Sequence, residues 1–370
     1  MKKCALALLA GVLLLASACS AGPGESPSET AGTETDAEKT AEITRREALC
    51  FQFLLEKMIN ADGGVRTNYL NKDFDAELAS GAQVLSESMG LWMLYAVKAG
   101  DQALFDRSLG FVESKLDTGV LLSYRYSPED GAYPVNAFLD DIRIVRALLL
   151  AQEAFGGTYG ETALSYADRL YGTNVAESRV YDFYDERYGA AGDSVTLCYL
   201  DLDTMRMLGE QDKKWTSVYG VMLDVAQGGY LGDGFPLYAG TYSYVDGAYS
   251  AQDIVTVQAL LTMLNLARVG ECPQSSIAYI KRQVENGALY GGYRTDGTAA
   301  GRAVATAVYA ICAQIGKAAQ DEELYAASIA QMDRFQVMDA DSEVYGAFAD
   351  AETLDLYAFD NLMALMAYRG

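Results

Sequence analysis

Apolar residues recur along this chain in two patterns that take turns. Some stretches are apolar nearly all the way round a helix. Val84–Gly100 carries Met89, Leu91, Trp92, Met93, Leu94, Ala96 and Val97, and Phe138–Phe155 carries Ile142, Ile144, Val145, Ala147, Leu148, Leu149 and Leu150. Ser194–Leu208, Ser250–Arg268, Arg302–Ile315 and Leu356–Tyr368 belong to the same class. A helix with no polar face is buried on all sides. Between them lie one-sided stretches at Gln102–Leu116, Glu161–Tyr171, Lys213–Ala226, Gln274–Asn286 and Asp321–Phe335, after a first helix from Glu38 to Asn60. Buried helices alternating with surface helices predict an inner ring inside an outer ring.

The connections alternate too. Each inner stretch turns tightly into the outer one after it, at Ala99-Gly100-Asp101, Phe155-Gly156-Gly157, Leu208-Gly209-Glu210, Val269-Gly270-Glu271 and Gly316-Lys317. Connections into inner helices are long, roughly 15–25 residues, a length that inside a compact domain is usually functional. The helix pair recurs about every 50–58 residues, the mark of an array that closes on itself. Six hairpins entered from one side predict an all-α fold, an (α/α)6 barrel spanning 42–370 as one domain. Its long loops then share one face. They carry Tyr124, Tyr133, Tyr181, Phe183, Tyr184, Tyr242 and Tyr293 with Arg125, Asp182, Asp185 and Asp246 between them. Such a face suits a groove that stacks sugar rings and hydrogen-bonds hydroxyls.

Acids gather at the starts of the inner helices: Glu87, then Asp140 and Asp141, Asp193, Asp253 and Asp360. One acid at a helix start is a cap or a partner for the helix dipole. Several acids converging on one aromatic face predict a site, and two carboxylates across a sugar groove are the equipment of a glycosidase. Trp92, Met89 and Leu91 are expected to wall Glu87 and keep it protonated.

Residues 1–18 form a secretory signal: Met1-Lys2-Lys3, an apolar run, then Ala16-Ser17-Ala18 before Cys19. That ending resembles the lipobox of bacterial lipoproteins, which implies lipidation of Cys19 and an anchor on the extracellular face of the cell membrane. Residues 19–41 are Gly-, Pro-, Ser-, Thr- and Glu-rich with no large apolar residue after Cys19, and are expected to be a disordered tether. The chain holds 51 acidic against 28 basic residues, net −23, which argues against a nucleic-acid partner. It has no His, which removes His-ligated zinc and both Ser-His and Cys-His catalysis. Cys50, Cys198, Cys272 and Cys312 show no CxxC spacing and are expected to be buried thiols.

Two motifs resemble glycoside hydrolase family 8. Ser86-Glu87-Ser88-Met89-Gly90-Leu91-Trp92-Met93, running on to Ala99-Gly100-Asp101, is similar to that family's Ser-Glu helix. Asp141 six residues before Ala147-Leu148-Leu149-Leu150-Ala151 is similar to its second motif, and Cys198-Tyr199-Leu200 to a third. The resemblance implies an (α/α)6 fold and inverting, endo-acting hydrolysis of β-linked glycans without metal or cofactor. It implies Glu87 as general acid and Asp141 as a substrate-positioning acid. The Tyr-Asp-Ala-x-Arg element that holds the family's base is here Tyr249-Ser250-Ala251-Gln252-Asp253, so Ser250 stands where the base is usual. The pattern resembles a branch of exopolysaccharide-processing lipoproteins with an Asp at the later position, which implies Asp253 as base. Asp140, Asp141, Arg143, Trp92, Tyr124, Tyr199 and Tyr249 are the expected substrate contacts, and a monomer is expected. The alternative is a glycan-binding lipoprotein on a decayed hydrolase barrel.

Overall fold

The structure is a computed structural model in which residues 36–70 and 81–370 are described. The expected signal, Cys19 and the expected tether up to residue 35 lie outside them. The helices are α1 (Asp36–Phe53), α2 (Ser86–Ala99), α3 (Gln102–Phe111), α4 (Phe138–Phe155), α5 (Tyr159–Asn174) and α6 (Leu202–Gln211). They continue as α7 (Lys213–Gly228), α8 (Thr256–Arg268), α9 (Gln274–Glu285), α10 (Thr306–Ala318), α11 (Glu322–Met332) and α12 (Ala358–Tyr368). The even-numbered helices form the inner ring: α2 packs on α4, and the contacts pass through α6, α8, α10 and α12 back to α2. α3, α5, α7 and α11 each cover the inner helix before them, α9 lies against α10 and α11, and α1 covers α12. This is the expected (α/α)6 barrel. Burial follows the pattern in the sequence, since every residue of α12 and all but three of α2 are buried. Cys50, Cys198 and Cys312 are buried thiols, while Cys272 is half-buried.

The inner helices begin in a shared way. The residue before α2, α4, α8, α10 and α12 is Leu85, Ala137, Val255, Ala305 or Tyr357, none of which caps with its side chain. The surface helices α3, α7 and α11 instead take Asp101, Asp212 and Asp321 as caps. At the inner starts, backbone carbonyls of the long loops satisfy the first N–H groups, which would otherwise be orphaned. Ser86 N–H donates to Tyr124 O, Phe138 to Asp182 O, Thr256 to Gly291 O and Ala358 to Thr67 O. The residues just before several of these starts are extended and pair with a later loop. Strand β1 (Val84–Leu85) pairs antiparallel with β2 (Arg125–Ser127), and β2 with β3 (Gly131–Ala132). Ser194–Thr196 pairs with Thr241–Ser243, and Ile254–Val255 with Gly292–Tyr293. A ring of short pairings thus laces the mouth, and its acids are released from capping their own helices.

Three elements differ from expectation. α1 starts at Asp36, inside the stretch expected to be a tether, because Ala37, Glu38 and Lys39 are strong helix formers. The helix expected from Ser194 starts at Leu202, after the strand Ser194–Thr196 and a single 3-10 turn, Leu197–Tyr199; Asp201 caps it by accepting Thr204 N–H. The helix expected from Ser250 starts at Thr256. Ile254, Val255 and Thr256 are β-branched in succession, which favours the extended entry. Asp253 therefore precedes α8 and lies outside its first turn.

Candidate active site

Glu87 is the second residue of α2, only 7% exposed. Burial and the neighbouring Asp140 carboxylate push its carboxyl up to about 8; Asp360 adds to the shift and the Arg143 guanidinium opposes it. A carboxyl in this state is protonated at neutral pH and able to donate. Asp140 lies on the same side of the barrel mouth. It accepts from Ser86 Oγ at 3.0 Å and from Arg143 Nη1 at 3.2 Å. Burial raises Asp140 as well, while Arg143 and Ser86 hold it down. Of the two, Asp140 has the better-stabilised charge and Glu87 keeps the proton. Gly90, one turn after Glu87, is what admits Arg143: a Cβ there would lie 3.1 Å from Arg143 Cδ and 3.2 Å from its Cγ.

Asp141 turns the other way. Adjacent residues of a helix point about 100° apart, so only one of the two acids faces Glu87. Asp141 packs towards α5, beside Leu121, Leu122, Tyr166 and Arg169. Its Oδ2 accepts from Asn136 Nδ2 at 2.8 Å, its Oδ1 has no partner, and burial raises it well above the usual range. Asn136 in turn bonds Asn174 and accepts Tyr184 N–H, tying α4 to α5 and to the loop beyond it. Of the two acids expected to contact substrate, the structure places Asp140 beside Glu87 and Asp141 in the wall between α4 and α5. Asp141→Asn preserves the shape and removes a carboxyl that burial already disfavours in its charged form. It should change kcat/KM by no more than about twofold and leave Tm unchanged or higher, read by reducing-end release and thermal unfolding, because replacing a buried acid by an isostere removes no charge pair.

The other expected contacts divide. Tyr199 is at the site: its hydroxyl is raised well above the usual range by burial, then by Asp182, Asp140 and Glu87 around it. Arg143 is there through Asp140. The Tyr124 backbone receives Ser86 N–H, and its ring meets Tyr133 edge-on, with Arg125 over both rings and Arg187 over Tyr133. Trp92 is not at the site. It comes five residues after Glu87, some 140° round the helix, and is fully buried, stacked on Phe51 of α1 and on Tyr95, which also meet each other. Met89 also turns outward, its sulfur accepting Val65 N–H. Tyr249 points at α7, donating to Val225 O at 2.8 Å, and a Cβ on Gly228 would collide with its hydroxyl. Asp253 is exposed, and is not among the groups that shift Glu87, Asp140, Asp360 or Tyr199. Many other loop tyrosines build small cores of their own. Tyr244 meets Tyr181 and bonds Val180 O, and Tyr293 bonds Ala288 O.

Two acids stand out to which sequence reasoning assigns no individual role. Asp360, in the first turn of α12, accepts Ala307 N–H of α10 at 2.9 Å, and burial raises it to about 7. It caps a neighbouring helix and adds negative potential to Glu87. Asp182 lies in the loop between α5 and α6 and keeps partial exposure. Its Oδ1 accepts Thr196 N–H at 2.6 Å and its Oδ2 accepts Thr196 Oγ1 at 2.7 Å. Its surroundings raise it to about 6. Asp182, Asp140 and Glu87 all lie near enough to Tyr199 to raise its hydroxyl. An acid held by one residue fourteen positions later leaves no periodic signal in a sequence.

No family model matches the chain. It is 26% identical over 323 residues to the Bacillus subtilis protein named "Putative lipoprotein YdaJ", covering 86% of this chain and 85% of that one. A solved structure described as "a novel alpha-amylase from Clostridium perfringens" superposes with a TM-score of 0.83 at 31% identity, covering 88% of this chain and 97% of that one. Endoglucanase Cel10 of Klebsiella pneumoniae, described as a family 8 glycosyl hydrolase, shares the fold at a TM-score of 0.57 and 16% identity, over 77% of this chain and 97% of that one.

Proposed function

Because the chain belongs to the same family as the clostridial protein, one built on the fold of the family 8 glycoside hydrolases, we propose that it is a glycoside hydrolase acting on an extracellular polysaccharide. The observation that carries this reading is Glu87: a buried acid at the barrel mouth, raised to about 8, beside an Asp140 whose charge Ser86 and Arg143 satisfy. Glu87 gives its proton to the glycosidic oxygen as the bond breaks. Asp140 and Arg143 bind sugar hydroxyls, and the Asp140 charge helps keep Glu87 protonated against the opposing pull of Arg143. Inversion needs a second carboxylate far enough away to leave room for a water, about 6.5–9.5 Å in such enzymes. Asp182, fixed by Thr196 and near enough to Tyr199 to raise its hydroxyl, supports that role better than exposed Asp253. Asp182→Asn should lower kcat at least about 100-fold with KM little changed, whereas Asp253→Asn should stay within about threefold. A large loss in Asp253→Asn with full activity in Asp182→Asn would reverse the assignment.

The lipobox-like ending at Cys19 and the description of the Bacillus relative as a lipoprotein support an enzyme held at the extracellular membrane face through a lipid. No described helix is long and apolar enough to cross a membrane. The fold neighbours described as endoglucanases and xylanases support a β-linked substrate with internal cleavage. The 31% identical relative supports a second reading, an α-linked glucan. Reducing-end release from carboxymethylcellulose, xylan, mixed-linkage β-glucan and amylose separates the two, and the anomer first formed reports inversion. Failure to release reducing ends from any of these or from secreted exopolysaccharides, with glycan binding retained, would make the protein a binding module.

A further inference from the structure

The end of the barrel opposite the mouth holds a second concavity. It has a volume of about 650 Å³ and opens between the C-terminal ends of α2, α4, α8, α10 and α12. Its walls are largely apolar, with Leu94, Leu264 and Met366, and Lys98, Arg146, Arg268 and Lys317 line it against one side-chain carboxylate, the exposed Glu153, in a chain of net charge −23.

The ordinary explanation is that cations at helix C-termini neutralise the dipole. Lys98, Arg268 and Lys317 do lie in the last turns of α2, α8 and α10. That accounts for where they sit but leaves one of them unsatisfied. Lys98 donates to Gly370 O. Lys317 pairs with Glu322, and Arg146 with Asp201 and Asp203. Arg268 has no hydrogen bond or ion pair among the described residues. Its guanidinium is lowered to about 10, by loss of water and then by Arg146, with Asp201 and Asp203 opposing. Lys98 is lowered as well, by burial and then by Arg268 and Arg146. A planar five-donor fork without a protein acceptor, in a concavity where four cations face the single side-chain carboxylate of Glu153, is suited to take an anion.

We propose that this concavity is a binding site for a small soluble anion, with a phosphate or carboxylate group held by Arg268 and Lys98 and an apolar body lying along Leu94, Leu264 and Met366. The volume lies in the range of small-molecule sites. The site is on the barrel face away from Glu87 and takes no part in the hydrolysis proposed above.

Isothermal titration of the folded protein with inorganic phosphate, hexyl phosphate and neutral hexyl glucoside tests it. Hexyl phosphate should bind once per chain, roughly ten-fold tighter than inorganic phosphate, the gain from burying about two methylenes. Hexyl glucoside should not bind at this site. Arg268→Met keeps the apolar stem and removes the fork. It should weaken hexyl phosphate at least about ten-fold without lowering the Tm of the free protein, since an unpaired charge is lost. Lys98→Met is the second reporter should Arg268→Met fail to fold. Absence of hexyl phosphate binding, or equal affinity in wild type and both variants, overturns the proposal. So does an Arg268→Met protein that loses Tm yet binds as before, for then the cations serve only the helix ends.

Discussion

Glu87→Gln is expected to fold as the wild type does and to lose hydrolysis by about two to four orders of magnitude, the usual worth of a positioned general acid. The glutamine has the same shape and removes only the proton that the leaving oxygen needs. Two further readouts make the result specific. Activity on a dinitrophenyl glycoside, whose leaving group departs without a proton, should fall far less than activity on polysaccharide. The wild-type pH profile should also decline as pH rises through the range near 8, where Glu87 loses its proton, and should fall below about 6 as Asp182 gains one. A Glu87→Gln enzyme with full activity on a natural polymer would remove Glu87 from the mechanism. A Glu87→Gln enzyme equally impaired on the activated glycoside would place the loss elsewhere than in proton donation.

Much of this barrel is visible in the sequence because two periodicities are superposed there. Inner helices such as α2 and α12 have no polar side to leave in water, and surface helices such as α9 do. The tight Gly-acid turns then fix which helices are neighbours, and the long loops fix the functional face. Glu87 is legible because its place at the start of a wholly apolar helix has no cheaper explanation once the loop backbone is seen to satisfy that helix end. What was not legible depends on angle and on entry. Asp140 and Asp141 are equivalent letters until the axis of α4 is known, and 100° then sends one to the centre and the other to the wall. Trp92 reads as a wall for Glu87 until the same arithmetic turns it towards Phe51. Asp253 seemed helical because Ile254, Val255 and Thr256 continue an apolar run, although their branching favours a strand. Asp182 could be placed on the loop face but not singled out there, because a single residue, Thr196, holds it, across a hairpin whose closure no pattern in the chain announces.

The same acids should govern stability. Glu87, Asp360 and Asp182 have folded-state values of about 8, 7 and 6 against ordinary values of 4.5 for Glu and 3.8 for Asp. The folded state therefore binds more protons than the unfolded one from about pH 4 to 8, and stability must fall as pH rises through that window. The depressed acids, Asp117 beside Arg169 and Asp203 beside Arg146 and Arg206, act in the opposite sense, and their contribution is lost only as pH drops below the ordinary Asp range. The two sets together place maximal stability near pH 4, on the acid side of neutrality. Glu87→Gln removes the largest of the three upward shifts. Its unfolding midpoint in urea should match wild type within a few tenths of a molar at pH 5 and exceed it clearly at pH 9, a gain on the order of a few kcal/mol. Parallel pH curves for the two proteins would mean that Glu87 is ionised at no cost in the folded state. That would withdraw the buried, protonated acid on which both its chemistry and the placement of Asp140 beside it depend.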